Sequence, residues 1–175
     1  MQQNVPVVHL PPDEKPGAIP PAAGHAVCLP ADIDTDVVIA GRYLRTKDRS
    51  IWAIHVFEDL DPAIAPRLKG SVIVAGKNFG CGSSREQAAI AIKEAGVVAV
   101  VAPSFARIFF RNAINIGLPL IESDITCEEG ATVVFSLAEG WVESGGKRHA
   151  VRPLSPRMQS ILAAGGLVDY WRAHQ

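Results

Sequence analysis

The chain has 175 residues, of which 48% are hydrophobic and 20% charged, a composition that supports folding and excludes global disorder. Its formal net charge of -1 excludes a long-range basic field, so neither nucleic acid nor an acidic membrane surface is an expected partner. The length fits one domain with an appendage, and no apolar run reaches the ~20 residues that span a bilayer.

Three cysteines, Cys28, Cys81 and Cys127, are odd in number, widely spaced and without a metal-binding pattern. That usage suits a reducing compartment. With no signal-peptide pattern at the amino terminus, a cytoplasmic location is expected.

Along residues 1–21 six prolines, Pro6, Pro11, Pro12, Pro16, Pro20 and Pro21, fix φ and remove backbone donors, which predicts a tail or wrapping arm. Its apolar piece Val5-Pro6-Val7-Val8 suits docking or solvation equally. The division expected is an extension over residues 1–24 and a domain over 25–175. Residues 26–29 suit a short strand. In Asp32-Ile33-Asp34-Thr35-Asp36, the Asp and Thr side chains can bond nearby amides and open a short helix through Val37 to Ala40. Residues 41–50 read as an exposed basic loop with Arg42, Arg45, Lys47 and Arg49, and residues 51–57 leave helix and strand undecided.

The clearest element is Ser71-Val72-Ile73-Val74-Ala75-Gly76, a β-branched run with the character of a strand buried on both faces. A helix follows over residues 85–95, a second buried strand over 97–102, a helix over 104–115 and a short strand over 119–121. These make two βαβ-like units and predict a parallel sheet. Strands over 131–137 and 141–142, with a turn at Gly145-Gly146, predict a second, antiparallel layer. Helices over 155–164 and 167–172 close the chain, separated by Gly165-Gly166. Phe105, Phe109 and Phe110 have the spacing of core packing, and His55 and His149 have no partnered pattern.

The loop Gly76-Lys77-Asn78-Phe79-Gly80-Cys81-Gly82-Ser83-Ser84-Arg85-Glu86 lies between a buried strand and a helix, where open α/β sheets place ligands. Its glycines permit positive φ, and a helix start favours an anion such as a carboxylate or phosphate. A Walker loop is excluded because Lys77 precedes the glycines, and the dinucleotide fingerprint because Arg85 stands in place of its third glycine. Ser83 followed by Glu86 also satisfies a capping box, so Ser83 reads equally as cap or as catalyst. Cys81 reads as a small buried residue or as a thiol activated by the helix start.

The motifs Asp34-Thr35-Asp36, Tyr43-Leu44-Arg45-Thr46, Gly80 to Glu86, Ser104-Phe105-Ala106-Arg107-Ile108-Phe109 and Asn115-Ile116-Gly117-Leu118-Pro119 occur in order. Together they resemble the swivel domain of aconitase-type hydro-lyases, in particular the separate small subunits of 3-isopropylmalate dehydratase and homoaconitase. The resemblance covers residues 25 to about 172 and leaves the Pro-rich arm without a counterpart.

The resemblance implies an α/β fold, a three-layer β/β/α swivelling domain with a parallel central sheet and a second antiparallel layer. It implies dehydration and rehydration of isopropylmalate in leucine biosynthesis, with a homoaconitase-type small subunit as the alternative. A non-catalytic anion-binding scaffold is the reading of another class. By resemblance Ser83 is the base, Asp36 an acidic catalytic residue, and Ser84 and Arg85 hold a substrate carboxylate. Tyr43, Leu44, Arg45 and Thr46 form the specificity loop, in which Arg45 suits an additional carboxylate better than an isopropyl group. The chain itself is expected to bind no metal or cofactor. A large subunit carrying a [4Fe-4S] cluster is the implied partner, in a heterodimer or heterotetramer, with Arg107 and Arg111 as candidates to face it.

Overall fold

The computed structural model describes residues 19–174, so the Val5-Pro6-Val7-Val8 piece and most of the expected arm lie outside the described residues. Four strands run parallel: β1 (Ala22–Leu29), β2 (Ser71–Ala75), β3 (Ala99–Ala102) and β4 (Leu120–Glu122). Three more are antiparallel: β5 (Thr132–Ser136), β6 (Trp141–Ser144) and β7 (Lys147–Ala150). All seven join one sheet in the order β4-β3-β2-β1-β5-β6-β7. The expected antiparallel strands are thus continuous with the parallel ones, and β1 is the seam between them. It pairs with β2 from His25 to Leu29 and with β5 from Ala22 to His25. Because Ala22 to Gly24 are already paired, the sheet begins before residue 25.

Side-chain alternation along β2 explains why this run is apolar throughout. Val72 and Val74 join a cluster with Ala26, Ala99, Val101 and Phe135, whereas Ile73 and Ala75 join a separate one with Val27, Val100 and Ala102. A strand covered on both faces has no polar face to show. The helix α3 (Glu86–Glu94) buries Ala88, Ala89, Ile90, Ala91 and Ile92, and these mostly small side chains let it lie close on the sheet. On the other face α5 (Pro156–Ala163) and α6 (Leu167–Ala173) contribute Ile161, Leu162 and Tyr170. Ser155 caps α5 by accepting from the Met158 amide at 3.3 Å. Two short helices, α1 (Thr35–Val38) and α2 (Arg49–Ile54), precede β2; the second resolves the ambiguous stretch 51–57 as largely helical.

Three elements differ from expectation for local reasons. The fourth helix, α4 (Arg107–Asn115), begins later than residue 104 because Ala106 is extended and its amide bonds Phe79 O at 2.9 Å. The second buried strand starts at Ala99 rather than residue 97, Val98 instead donating to Ser71 O at 2.8 Å. Strand β7 was not expected from its polar sequence. It forms because Gly145 and Gly146, with φ of 59° and 74°, make the two-residue connection that pairs Ser144 with Lys147.

The parallel strands end on one edge, and the segments leaving that edge bond to one another. Asp32 N donates to Lys77 O at 2.8 Å, and Asn78 N donates to Ser104 Oγ at 2.8 Å. This is the edge where α/β sheets build sites. Ile73, fully buried on β2, has no route to relaxation within the sheet. Ile73→Ala is expected to lower stability by about 2–5 kcal/mol, read as a reduced urea midpoint at unchanged slope.

Candidate active site

Two segments at the strand edge are fastened together. Gly80 N donates to Ile33 O at 2.8 Å and Thr35 N donates to Cys81 O at 2.9 Å, forming a parallel bridge between Asp34 and Cys81. Glycine is required at two positions of the loop. Gly80 has φ of +80°, and a Cβ there would lie 2.2 Å from Phe109 Cγ. Gly82 has φ of +87°, and a Cβ there would lie 2.3 Å from Asp34 Oδ2. That carboxylate is occupied as the N-cap of α1, accepting from Asp36 N at 2.7 Å. The glycines therefore do more than free the backbone: they admit a phenyl ring on one side and a carboxylate on the other.

The capping-box reading of Ser83 does not hold. Helix α3 begins at Glu86 with Arg85 as an extended N-cap, and no side chain caps it. The Arg85 amide is taken by Ser83 O at 2.8 Å. The Ser83 hydroxyl instead donates to Asp36 Oδ1 at 3.0 Å and lies 3.2 Å from Thr35 Oγ1. Thr35, only 1% exposed, donates to Ser83 O at 2.9 Å, so it holds the serine by its backbone with its own oxygen beside the hydroxyl. A hydroxyl has one proton. With that of Ser83 directed at Asp36, and that of Thr35 at the carbonyl, the serine oxygen keeps lone pairs for an incoming proton.

Arg85 completes the cluster. Its Nη1 lies 3.1 Å from the same Asp36 Oδ1 and donates to Ile39 O at 3.3 Å. Its side chain is 26% exposed and that of Asp36 is 57% exposed, so the group opens to solvent from a partly sheltered guanidinium. Neither its Nε nor its Nη2 has a hydrogen-bond partner among the described residues. Gly41, at the start of the 3-10 turn Gly41–Arg45, sits against this guanidinium, a Cβ there lying 3.7 Å from both Nη atoms. The structure thus brings together Ser83, Asp36 and Arg85 among the expected residues, and adds Thr35. In the sequence Thr35 stands only as a helix-opening residue within the Asp34-Thr35-Asp36 motif.

The loop expected to set specificity divides. Tyr43 is turned inward: its ring stacks on His55 with centroids 3.9 Å apart, its hydroxyl donates to Glu58, and its carbonyl accepts from Trp52 Nε1 at 3.1 Å. His55 is therefore a structural partner of this loop. The hydrogen bond from Tyr43, with His55 and Arg42 beside it, holds the Glu58 carboxyl below the usual carboxylate range. Leu44 packs against the core, and Thr46 Oγ1 accepts from Asp48 N at 3.1 Å. Arg45 and Ser84 are exposed, and neither has a side-chain partner among the described residues.

Among the described residues no three His, Cys, Asp or Glu side chains gather as a metal site. Cys28 and Cys127 lie with their sulfurs 4.0 Å apart, and Cys81 stands apart on the loop, so the three thiols do not form a cluster-binding triad. Burial pushes the Cys81 thiol up, with Asp34 and Asp32 adding to the effect. Of the two readings of Cys81, the activated thiol is the one this disfavours. The phenylalanines pack as expected at Phe109, whose ring meets Phe79 edge-on at 5.3 Å, while Phe105 and Phe110 remain half-buried.

A family model described as the aconitase C-terminal domain matches residues 30–124. The 3-isopropylmalate dehydratase small subunit of Moorella thermoacetica is 54% identical over 145 residues, covering 79% of this chain and 87% of that protein. The same subunit of Aliarcobacter butzleri is 49% identical over 148 residues, covering 82% and 89%. A methanogen homoaconitase small subunit from Methanothermobacter thermautotrophicus is 50% identical over 143 residues, covering 80% and 84%. In structure, the chain is similar to 3-isopropylmalate dehydratase from Methanocaldococcus jannaschii, with a TM-score of 0.83 at 44% identity over 88% of this chain and 95% of that one.

Two outcomes follow from this geometry. Gly82→Ala must strain the backbone and displace the Asp34 cap, and is expected to cost about 1–3 kcal/mol in denaturant unfolding. Because its pKa is raised, Cys81 carries less thiolate at any given pH. Its alkylation by iodoacetamide, followed by mass spectrometry from about pH 6 to 10, should lag an unstructured cysteine peptide until strongly alkaline conditions.

Proposed function

This chain belongs to the aconitase C-terminal domain family, and from that membership we propose that it is the small subunit of a 3-isopropylmalate dehydratase. That enzyme is a hydro-lyase that interconverts 2-isopropylmalate and 3-isopropylmalate by dehydration and rehydration, a step of leucine biosynthesis. The observation that carries the reading is the Ser83–Asp36–Arg85 cluster, in which a hydroxyl directed at a carboxylate shares that carboxylate with a guanidinium.

The reaction removes a weakly acidic proton beside a carboxylate, and the charge that develops needs fixed positive groups and oriented donors. In the proposed step the Ser83 hydroxyl proton passes to Asp36 Oδ1 as Ser83 Oγ accepts the substrate's carbon-bound proton. Both transfers reverse on rehydration. The Arg85 N–H groups that remain beyond Asp36 and Ile39 grip a substrate carboxylate, with the exposed Ser84 hydroxyl beside them. Thr35 is a positioning residue, fixing the Ser83 backbone through its hydrogen bond to Ser83 O and packing its oxygen 3.2 Å from the Ser83 hydroxyl. A [4Fe-4S] cluster, when bound on the large subunit, supplies Lewis acidity to the substrate hydroxyl. The dispersed cysteines of this chain support a cluster held by the partner. A cytoplasmic location accords with this biosynthetic role, and no helix among the described residues is long and apolar enough to cross a membrane.

Arg45 favours a second reading of the substrate. It is exposed and unpaired among the described residues, in the turn whose first residue faces Arg85. A guanidinium there suits a substrate with an additional carboxylate, such as homoaconitate, and the family includes a homoaconitase small subunit. A non-catalytic phosphate scaffold is disfavoured because the Ser83 hydroxyl is engaged with Asp36, and the Asp36 carboxylate already lies against Arg85 where an anion would bind.

Coexpression with the large subunit, followed by assays on isopropylmalate and homoaconitate side by side, tests the reading. The chain alone is expected to be inactive, and turnover without an iron–sulfur partner would overturn the divided site. Ser83→Ala should lower kcat of the assembled enzyme by about 10²–10⁴-fold without preventing assembly. Arg45→Leu should shift the ratio of kcat/KM values toward isopropylmalate by at least about tenfold if Arg45 reads a carboxylate. An unchanged ratio would remove it from substrate recognition.

A further inference from the structure

Beside the candidate active site lies a cleft of about 750 Å³ between α4 and α5. Arg107, Arg111, Arg152 and Arg157 line it, against the one carboxylate of Glu122. Its floor is apolar, built by Phe110, Ile114, Met158 and Ile161. Arg107 and Arg111, one helical turn apart on α4, are exposed and make no ion pair or hydrogen bond among the described residues. In a chain of net charge -1, this concentration of guanidinium groups over apolar surface is local.

We infer that this cleft is the docking socket for a segment of the large subunit, one that presents carboxylates around an apolar side chain. The inference rests on the reading of the chain as a small subunit and names where its partner grips. Position is the first argument. The site loop leaves the end of β2, while the cleft begins with Phe105, just past the end of β3, and Glu122, at the end of β4. Phe105 also bridges Phe79 of the loop, so the two surfaces are continuous. A partner that closes over Ser83 and Arg85 lies across the same strand edge and meets the cleft next.

Area is the second argument. A stable interface buries ~800 Å² on each side, more than a short loop supplies, so the partner requires adjoining surface. The cleft, with the 54% exposed Ile108 beside Arg107, provides it. Chemistry is the third. Arginine fans and half-buried aromatic rings are the residue types on which interface energy concentrates, and arginine pairs carboxylates bidentately.

The test is association of the purified chain with its large subunit, measured by analytical ultracentrifugation at low and high salt, alongside turnover of the complex. Arg107→Glu combined with Arg111→Glu is expected to raise Kd at least about tenfold and flatten its salt dependence. Turnover at saturating large subunit should stay within about twofold of the unaltered enzyme, since neither arginine is in the catalytic cluster. Ser83→Ala should do the opposite, leaving Kd unchanged. A Kd for the double variant within about twofold of the unaltered chain overturns the socket, whatever the activity. Unaltered association without turnover on either acid overturns the proposed activity and leaves the socket standing, and no association of the unaltered chain overturns both. Inorganic pyrophosphate that binds the isolated chain, and fails to bind the double variant while its Kd for the large subunit is unchanged, would make the cleft a small-anion site instead.

Discussion

The site depends on one short backbone pairing, between the segment that leaves β1 and the loop that leaves β2. Ile33 O accepts from Gly80 N, and Cys81 O accepts from Thr35 N. Through these bonds the Asp34-Thr35-Asp36 motif and the Gly80–Glu86 loop, nearly fifty residues apart in sequence, share a fixed register. Every polar contact of the cluster crosses the pairing: Thr35 to Ser83, Ser83 to Asp36, and Arg85 to Asp36. The pairing is possible because Gly80 and Gly82 leave space where any side chain would meet Phe109 or Asp34. Parallel β1 and β2, the second of them buried along its whole length, hold the two segments at one edge.

The polar cluster is not what stabilises the fold. An exposed ion pair such as Arg85–Asp36 contributes ~0–1 kcal/mol in water, much less than one buried isoleucine of the sheet. Its value is geometric. The groups stand ready at a surface whose electrostatics would strengthen once a partner excluded water, because the same charges interact more strongly at lower dielectric. A half-open polar cluster and a neighbouring basic cleft are what one half of a divided enzyme would present.

Much of the architecture was legible in the chain because burial and periodicity are local signals. The apolar run at Ser71 to Ala75, the alanine-rich stretch that became α3 and the valine-rich strand at Ala99 to Ala102 all announce a parallel core. The polar strand β7 was hidden, since an edge hairpin strand needs only a turn and a neighbour with free backbone groups. The helix at Arg107 to Asn115 was placed too early because Phe105 and Ala106 are held extended by Phe79, a contact between segments far apart in sequence.

At the site, the sequence by itself determined the loop, its glycines and the kind of chemistry available, a hydroxyl, a carboxylate and a guanidinium near a helix start. It could not decide between the two roles of Ser83, because capping and catalysis use the same residues at the same spacing. Tertiary structure removed the capping role by shifting the helix start to Glu86 and turning the hydroxyl toward Asp36. It also decided that Thr35 belongs to the cluster, and that in the turn after Gly41 Tyr43 is structural while Arg45 is free to meet a ligand. The physical reason is the same in each case. A side chain's role is set by what the fold brings opposite it, and those partners come from segments whose distance along the chain carries no trace of their distance in space.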